Sequence, residues 1–344
     1  VDLEALLANA RTIQQRAPRA RLLPMVKANA YGLGAVPVAR ALERVDPWGF
    51  AVATAHEGQE LRDAGITRPI LVMAPQTAAL ELVAEAGLTP ALGSAEQIGA
   101  WLAMAPGRPF HVEVDTGMAR WGLAWESFGS EAARFASAPG FEGVFTHFHS
   151  PWDDPASVRE QWRRFQAALA TLSRRPALVH AANSVATLEY PETVGDLARP
   201  GIFLYGGRAG AHRPRQVVQW RTRVLATRWV EAGATVSYGA TYRASARSCV
   251  ATLGAGYADG LPRALSNTGA ALVGGRRLPI AGRVTMDFTM VVATDWAPQP
   301  GCVATLIGTD GSEAIELDDV AALAGTISYD ILTGLGRRVT RVYA

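Results

Sequence analysis

The chain has 344 residues, 49% hydrophobic and 19% charged, with a formal net charge of +2. That is the composition of an ordinary soluble globular protein long enough for two domains, and its interspersed charge gives no footing to nucleic acid or an anionic membrane surface. Apolar runs are broken well short of the ~18 residues a membrane-spanning helix needs, so no such segment is expected.

The N-terminal stretch is helical in pattern rather than a signal segment, and it opens at Val1, so a trimmed start is expected. Short apolar runs then alternate with helical patterns. Strands are predicted over 21–26, 48–52, 69–73, 90–92, 110–114, 143–146, 177–181 and 195–199, and amphipathic helices over 35–44, 55–64, 78–86, 94–104, 126–136 and 155–172. Thr54, Thr77 and Ser94 read as helix caps, the last followed by Glu96 and Gln97. Parallel strands need crossover helices, and eight of them suit a closed (β/α)8 barrel over residues 1–214, with the eighth strand the faintest. A linker is read over 206–214, and "GGRAG" within it is no dinucleotide fingerprint because no strand–turn–helix unit surrounds it. From 215 to 344 the texture is mainly β, with runs at 217–229, 249–253, 270–273, 288–292 and 303–307 and one helix at 317–323. Cys249 and Cys302 lie in apolar runs, where buried free thiols of a reduced, cytoplasmic compartment are expected.

In a (β/α)8 barrel the working residues gather where strands end. Lys27 follows the first strand, residues 115–120 the fifth, His147 the sixth, Asn183 and Ser184 the seventh, and Arg199 ends the eighth. Core packing alone does not favour so many polar groups at one rim. A lysine there either snorkels to solvent or, partly desolvated, becomes a nucleophilic amine fit for Schiff-base chemistry. An aldehyde cofactor such as pyridoxal phosphate also needs a phosphate cradle, which Ser184 at a helix start and the amides of Gly201 and Ile202 would supply. His147, His149, Asp153 and Asp154 make a weak metal signal in one flexible stretch, so no metal is expected.

Nine segments carry a resemblance: "MVKANAYGLG" (25–34), "VDTGMARWG" (114–122), "THF" (146–148), "HAANS" (180–184), "RPGIFLYG" (199–206), "VSYGATY" (236–242), "GYADGLPR" (256–263), "GRVTMD" (282–287) and "ISYDIL" (327–332). Together, and in this order, they resemble the alanine racemases. The resemblance implies an N-terminal barrel and a C-terminal β-domain, pyridoxal phosphate held on Lys27, and interconversion of L- and D-alanine, which supplies D-alanine for cell-wall peptidoglycan. It implies a two-base mechanism in which Lys27 serves one face of the substrate carbon and Tyr238 the other. Two groups are wanted because the proton leaves one face and returns to the opposite one. His147 would contact the phenol and relay to Arg199, with His180 behind. Arg199 would face the pyridine nitrogen, where it donates without giving up its proton and so limits charge delocalisation into the ring. Tyr31 and Tyr329 resemble phosphate-binding tyrosines. Tyr257 and Met286 resemble residues of the substrate entrance and carboxylate site, with Asp287 in support. Arg120 would bind the substrate carboxylate and the cofactor's phenolic oxygen. A head-to-tail homodimer with shared sites is implied, Tyr238 and Met286 entering the other subunit's site.

The chain departs from the family pattern at Glu113, where many members carry a carbamylated lysine that orients the arginine matching Arg120. Glu113 is expected to supply that negative charge directly. The loop "THFHSPWDD" (146–154) also diverges, which leaves substrate breadth open. A serine or broad-specificity racemase is the alternative within the class. A barrel-type decarboxylase or a pyridoxal-phosphate carrier is the alternative outside it.

Overall fold

Eight short parallel strands form the ring in the N-terminal part of the computed structural model, which describes residues 1–344, and a further two-residue strand, Leu123–Ala124, pairs in parallel with the end of the fifth. They are β1 (Arg21–Leu22), β2 (Phe50–Val52), β3 (Ile70–Val72), β4 (Thr89–Leu92), β5 (Phe110–Asp115), β6 (Phe141–Phe145), β7 (Leu178–His180) and β8 (Leu197–Ala198). Pairing runs β2-β3-β4-β5-β6-β7, and β1 pairs in parallel with β8. Parallel bridges Met25–Ala51 and Asn183–Arg199 join the two sets into a ring. Formal strand at β1 and β8 is two residues long, although the ladder continues from the Met25 amide to the carbonyl of Pro200 at 2.9 Å. Pro24 and Pro200 have no N–H to give, which cuts the regular pattern there. Every residue of β2, β3 and β4 is buried, as expected for strands covered on both faces.

Helices α1 (Leu3–Arg16), α2 (Ala35–Leu42), α3 (Ala55–Asp63), α4 (Leu80–Glu85), α5 (Ala95–Met104), α6 (Phe128–Ala132), α7 (Pro155–Leu169) and α8 (Ser184–Glu189) intervene. Thr54 and Ser94 cap α3 and α5 by accepting from the amides of Glu57 and Gln97. Thr77 does not cap: it opens a 3-10 turn, Thr77–Ala79, that leads into α4 without a side-chain cap. The helix expected over 126–136 shortens to α6. Phe128 and Phe135, with Phe110 and Phe141, form edge-on and tilted ring contacts that fix the remainder by packing instead.

The chain divides into two compact units, one of Leu6–Leu204 with Arg208–Pro214, the other of Val1–Ala5, Tyr205–Gly207 and Arg215–Ala344. In the second unit Val1–Ala5 is tied in by bonds from the Asp2 amide to the Val217 carbonyl and from the Leu3 amide to that of Ala344, at 2.8 and 2.9 Å. Its strands are β9 (Trp220–Val230), β10 (Thr235–Val236), β11 (Tyr242–Arg243), β12 (Ser248–Leu253), β13 (Ala270–Val273), β14 (Arg276–Pro279), β15 (Thr289–Ala293), β16 (Val303–Asp310) and β17 (Glu313–Ile315). The antiparallel order is β14-β13-β16-β9-β12-β15. Ile280, just past β14, bridges Val291 of β15 and brings the sheet round to a nearly closed barrel. Register shifts at Trp220/Arg221 and Val224/Ala226, both in the first half of β9, accompany its change of partner from β16 to β12. Val236, Val250, Ala281 and Val292 pack together inside. The expected helix is present as α9 (Leu317–Ala324), and a second, α10 (Ser328–Thr333), follows it. The Ser328 hydroxyl donates to the Asp318 carboxylate at 2.5 Å, a tie between α10 and α9. No helix of the chain is long and apolar enough to cross a membrane.

Candidate active site

Past β1 the chain makes a left-handed turn. Ala28, Asn29, Ala30 and Tyr31 all have φ between 51° and 55°, a conformation costing L-residues about 1–2 kcal/mol each. Glycine is the residue that ordinarily carries such geometry. Here it does so only at Gly32 and Gly34, after four residues with side chains. The turn is closed by the Ala30 amide on the Val26 carbonyl and the Gly32 amide on that of Ala28, both 2.8 Å, and by the Ala35 amide on the Asn29 carboxamide oxygen, 2.8 Å. Its effect is to start Lys27 off the end of a strand and return a buried Tyr31 to the barrel. Burial, aided by the Arg120 charge, lowers the Lys27 pKa, so more of the amine is unprotonated.

Arg199 lies behind that rim with 2% of its surface exposed. Burial pushes its pKa down to about 10, which leaves it a cation at neutral pH. Its NH1 meets His180 Nδ1 at 2.7 Å, and its NH2 reaches the carbonyls of Thr146 and Ala181 and His147 Nδ1 at 2.8, 2.9 and 3.2 Å. A guanidinium only donates, so both Nδ1 atoms are acceptors and both rings carry their proton on Nε2. His180 Nε2 therefore donates to His111 Nδ1, 2.9 Å away, and His111 Nε2 to Glu142 at 3.2 Å. His147 and His180 are held well below the usual histidine pKa by burial and then by Arg199, so both are neutral. The His180 ring stacks on Phe145 at 4.9 Å. His111 and Glu142 went unread in the sequence. The available signal was strand alternation on β5, which puts His111 and Glu113 on one face. Gly143 makes room there, since a Cβ at that position would lie 2.6 Å from the His111 ring.

Glu113 is 5% exposed, and burial raises its pKa to about 7 against the opposing pull of Arg120 and Arg199. Its Oε1 stands 4.0 Å from Arg120 NH2, at the limit of an ion pair and too far for a hydrogen bond. Ser184 Oγ accepts from the Gly201 amide at 2.9 Å. Ile202 opens a 3-10 turn. The Asn183 carboxamide oxygen caps α8 by accepting from the Ala186 amide at 3.1 Å, which gives this residue a structural duty beside any toward a cofactor. A Cβ on Gly201 would come within 2.5 Å of the Tyr31 hydroxyl, so the space between them depends on glycine. This donor set, an available amine, two hydroxyls flanking a glycine and a donor-only cation, fits a phosphorylated aldehyde with a ring nitrogen as acceptor. No group of three or more His, Cys, Asp or Glu side chains converges as a metal site. Asp154 instead caps α7, and His149 Nδ1 pairs with the Ser150 hydroxyl.

The C-terminal unit places its own candidates on loops. Tyr238 is 73% exposed, in the turn between β10 and β11. Ser237, Gly239 and Ala240 have φ of 68°, 74° and 50°, and the Ser237 hydroxyl donates to the Arg283 carbonyl at 2.7 Å. The phenol is thus displayed from a tightly shaped loop. Tyr257 and Met286 are also exposed, on loops joined by the Tyr257 amide to the Thr285 carbonyl and the Ala258 amide to that of Met286, 2.9 and 3.0 Å. Arg338, which the sequence reading missed, clasps Asp259 through two bonds of 3.1 and 3.2 Å and Asp287 at 2.8 Å. The Tyr329 hydroxyl has its pKa pushed up to about 12 by burial, although part of the ring remains exposed.

Comparison with known proteins gives one consistent result. The family model "Alanine racemase, N-terminal domain" matches residues 1–209, and "Alanine racemase, C-terminal domain" matches 217–343. An alanine racemase of Symbiobacterium thermophilum is 41% identical, covering 100% of this chain and 96% of the relative. One from Limosilactobacillus fermentum is 39% identical, with 100% and 96% covered. Among solved structures, alanine racemase from E. faecalis superposes with a TM-score of 0.94 at 33% identity, covering 100% of this chain and 97% of that one. Alanine racemase from Bartonella henselae with covalently bound pyridoxal phosphate gives 0.93 at 33% identity, covering 100% and 98%.

Proposed function

The chain belongs to the alanine racemase family, and on that premise we propose that Lys27 and Tyr238 are the two acid/base groups with which it racemises alanine. The enzyme interconverts L- and D-alanine with pyridoxal phosphate as cofactor, supplying D-alanine. Residues 1–214 hold the cofactor, and 215–344 supply the second base. When bound, the cofactor contributes an aldehyde that condenses with an amine and a ring that accepts the electrons left when the α-proton departs.

Lys27 Nζ, with its lowered pKa, would hold the cofactor through its aldehyde and, once the substrate's amine has taken its place there, would take or return the α-proton on one face. Tyr238 Oη does the same on the other. His147, its Nδ1 taken by Arg199, carries its proton on Nε2, which is thereby left as the donor available to a phenol brought to this rim. Arg199 would face the ring nitrogen as a donor that keeps its own proton, a partner that would limit the ring's pull on charge and favour return of the proton to the substrate carbon. Ser184 and Tyr31 hydroxyls, with the backbone at Gly201 and Ile202, bind the phosphate, assisted by Tyr329. Arg120, steered by Glu113, and the loop bearing Met286 hold the substrate carboxylate, with Tyr257 at the entrance. The exposed Tyr238 and Met286 suit a head-to-tail homodimer in which each chain completes the other's site. A cytoplasmic location suits the two unpaired cysteines, Cys249 buried and Cys302 partly so.

The observation that carries this reading is the buried, donor-only Arg199 network at the end of β8, on the same strand-end rim that Lys27 occupies after β1. Lys27 is also the chain's one lysine among 33 basic residues. Borohydride reduction of the loaded enzyme should therefore fix the cofactor to Lys27, and L-alanine should exchange its α-hydrogen in D₂O as it racemises. Loading without exchange would overturn the two-base assignment.

A further inference from the structure

The capping box of α3 has a reach that a cap does not require. Its Glu57 carboxylate accepts from the Thr54 amide at 3.1 Å, the ordinary role of that position. The same Oε2 also accepts from the Ala53 amide at 2.7 Å, and Oε1 accepts from the Ala28 amide at 2.7 Å. Ala28 is the residue directly after Lys27 and the first of the four left-handed residues. One side chain thus fastens the start of the strained turn to the junction of β2 and α3, 29 positions along the chain. We propose that Glu57 is a positioning residue for Lys27, holding the left-handed turn that aims the amine and placing a carboxylate in its field.

Two consequences separate this role from plain helix capping. The first is geometric: without an acceptor for the Ala28 amide, the turn loses the bond at its entry, and Lys27 loses its fixed departure from the strand. The second is electrostatic. Burial and Arg120 lower the pKa of Lys27, and Glu57 opposes them. Removing the carboxylate should push that pKa lower still.

The inference rests on the racemase reading for its rate measurement, but the amine can be followed without catalysis. Because Lys27 is the single lysine, its acylation in the full chain stripped of cofactor can be measured by peptide mass spectrometry across pH. In Glu57→Gln the labelling midpoint should move to lower pH, and kcat/KM of the reloaded enzyme should fall about 10–100-fold. Thr54→Ala, which weakens the cap and leaves the Ala28 bond, should keep the wild-type midpoint. Glu57→Asp, which keeps the charge and shortens the reach, should lose rate while its midpoint stays near wild type. If Glu57→Gln does not fold, the Asp variant decides, with unchanged rate overturning the proposal. An unmoved midpoint and rate in Glu57→Gln, or Thr54→Ala matching it in both, would equally overturn it. Wild-type protein that neither binds the cofactor nor racemises would instead remove the functional reading and leave the labelling result standing.

Discussion

Glu113 sits where burial and two arginines pull in opposite directions, and its pKa of about 7 against an ordinary 4.5 says burial prevails. A carboxyl whose folded pKa exceeds its unfolded one binds its proton more tightly in the native state. Folding is then favoured at low pH, and that contribution is lost as pH rises from about 4.5 to about 7. The shift corresponds to roughly 3 kcal/mol at most. Glu113→Gln should abolish this pH-dependent loss, read as urea-unfolding stability at pH 5 and pH 8 for both proteins; parallel changes in the two would disprove it. Activity should respond oppositely, since Arg120 is oriented only by the ionised form. Wild-type kcat/KM should fall as pH drops through about 7, and the Gln variant should be low on both sides. Arg199 gives a second residue-scale test. Lysine cannot reach His180, His147 and the carbonyls of Thr146 and Ala181 together, and its ammonium can yield a proton. Arg199→Lys should slow racemisation about 100-fold and raise the share of turnovers ending in the keto acid, quantified by a coupled reductase.

At the scale of elements, β5, β6 and β7 supply one connected polar layer. The donor-only guanidinium at the end of β8 sets the direction of every hydrogen bond from His147 back to Glu142. That arrangement needs β6 to be bare at Gly143, where a Cβ would meet the His111 ring at 2.6 Å. Gly143→Ala should cost about 1–3 kcal/mol by overpacking and slow racemisation by disturbing His180, whereas Glu142→Gln, at the outer end, should leave stability nearly unchanged. Thermal unfolding of both variants would show whether the layer is as rigid as its bonds imply.

For the whole molecule, the proposed shared-site dimer makes a direct prediction. Lys27→Ala and Tyr238→Phe, each inactive alone, should recover about a quarter of wild-type activity when unfolded together and refolded as mixed dimers, because half the chains pair unlike and each such dimer holds one intact site. Complete absence of recovery would confine both bases to one chain. Lys27 being the sole lysine, no lysine carbamate can form elsewhere, and stripping carbon dioxide should leave the rate unaltered. Strand order and most helices were legible in the sequence because alternation and caps are local signals. So were the rim residues, because barrel strands end where their chemistry begins. The left-handed turn at Ala28–Tyr31 was not, since nothing in "KANAY" marks alanine or tyrosine for that handedness, and the bond at its entry comes from Glu57, 29 positions away. His111, Glu142, Glu57 and Arg338 escaped for a related reason. Each acts through partners distant in the chain, and each has a common surface or strand explanation when read alone.

That turn has a bearing on proteolysis. An endoproteinase specific for lysine finds a single scissile bond here, Lys27–Ala28, and it lies at the mouth of a backbone twist that an extended-substrate cleft cannot accept. Cutting must wait for the loop to unwind and, if Lys27 holds the coenzyme as proposed, for the coenzyme to leave the side chain. The appearance of two fragments therefore times both events at the proposed catalytic lysine.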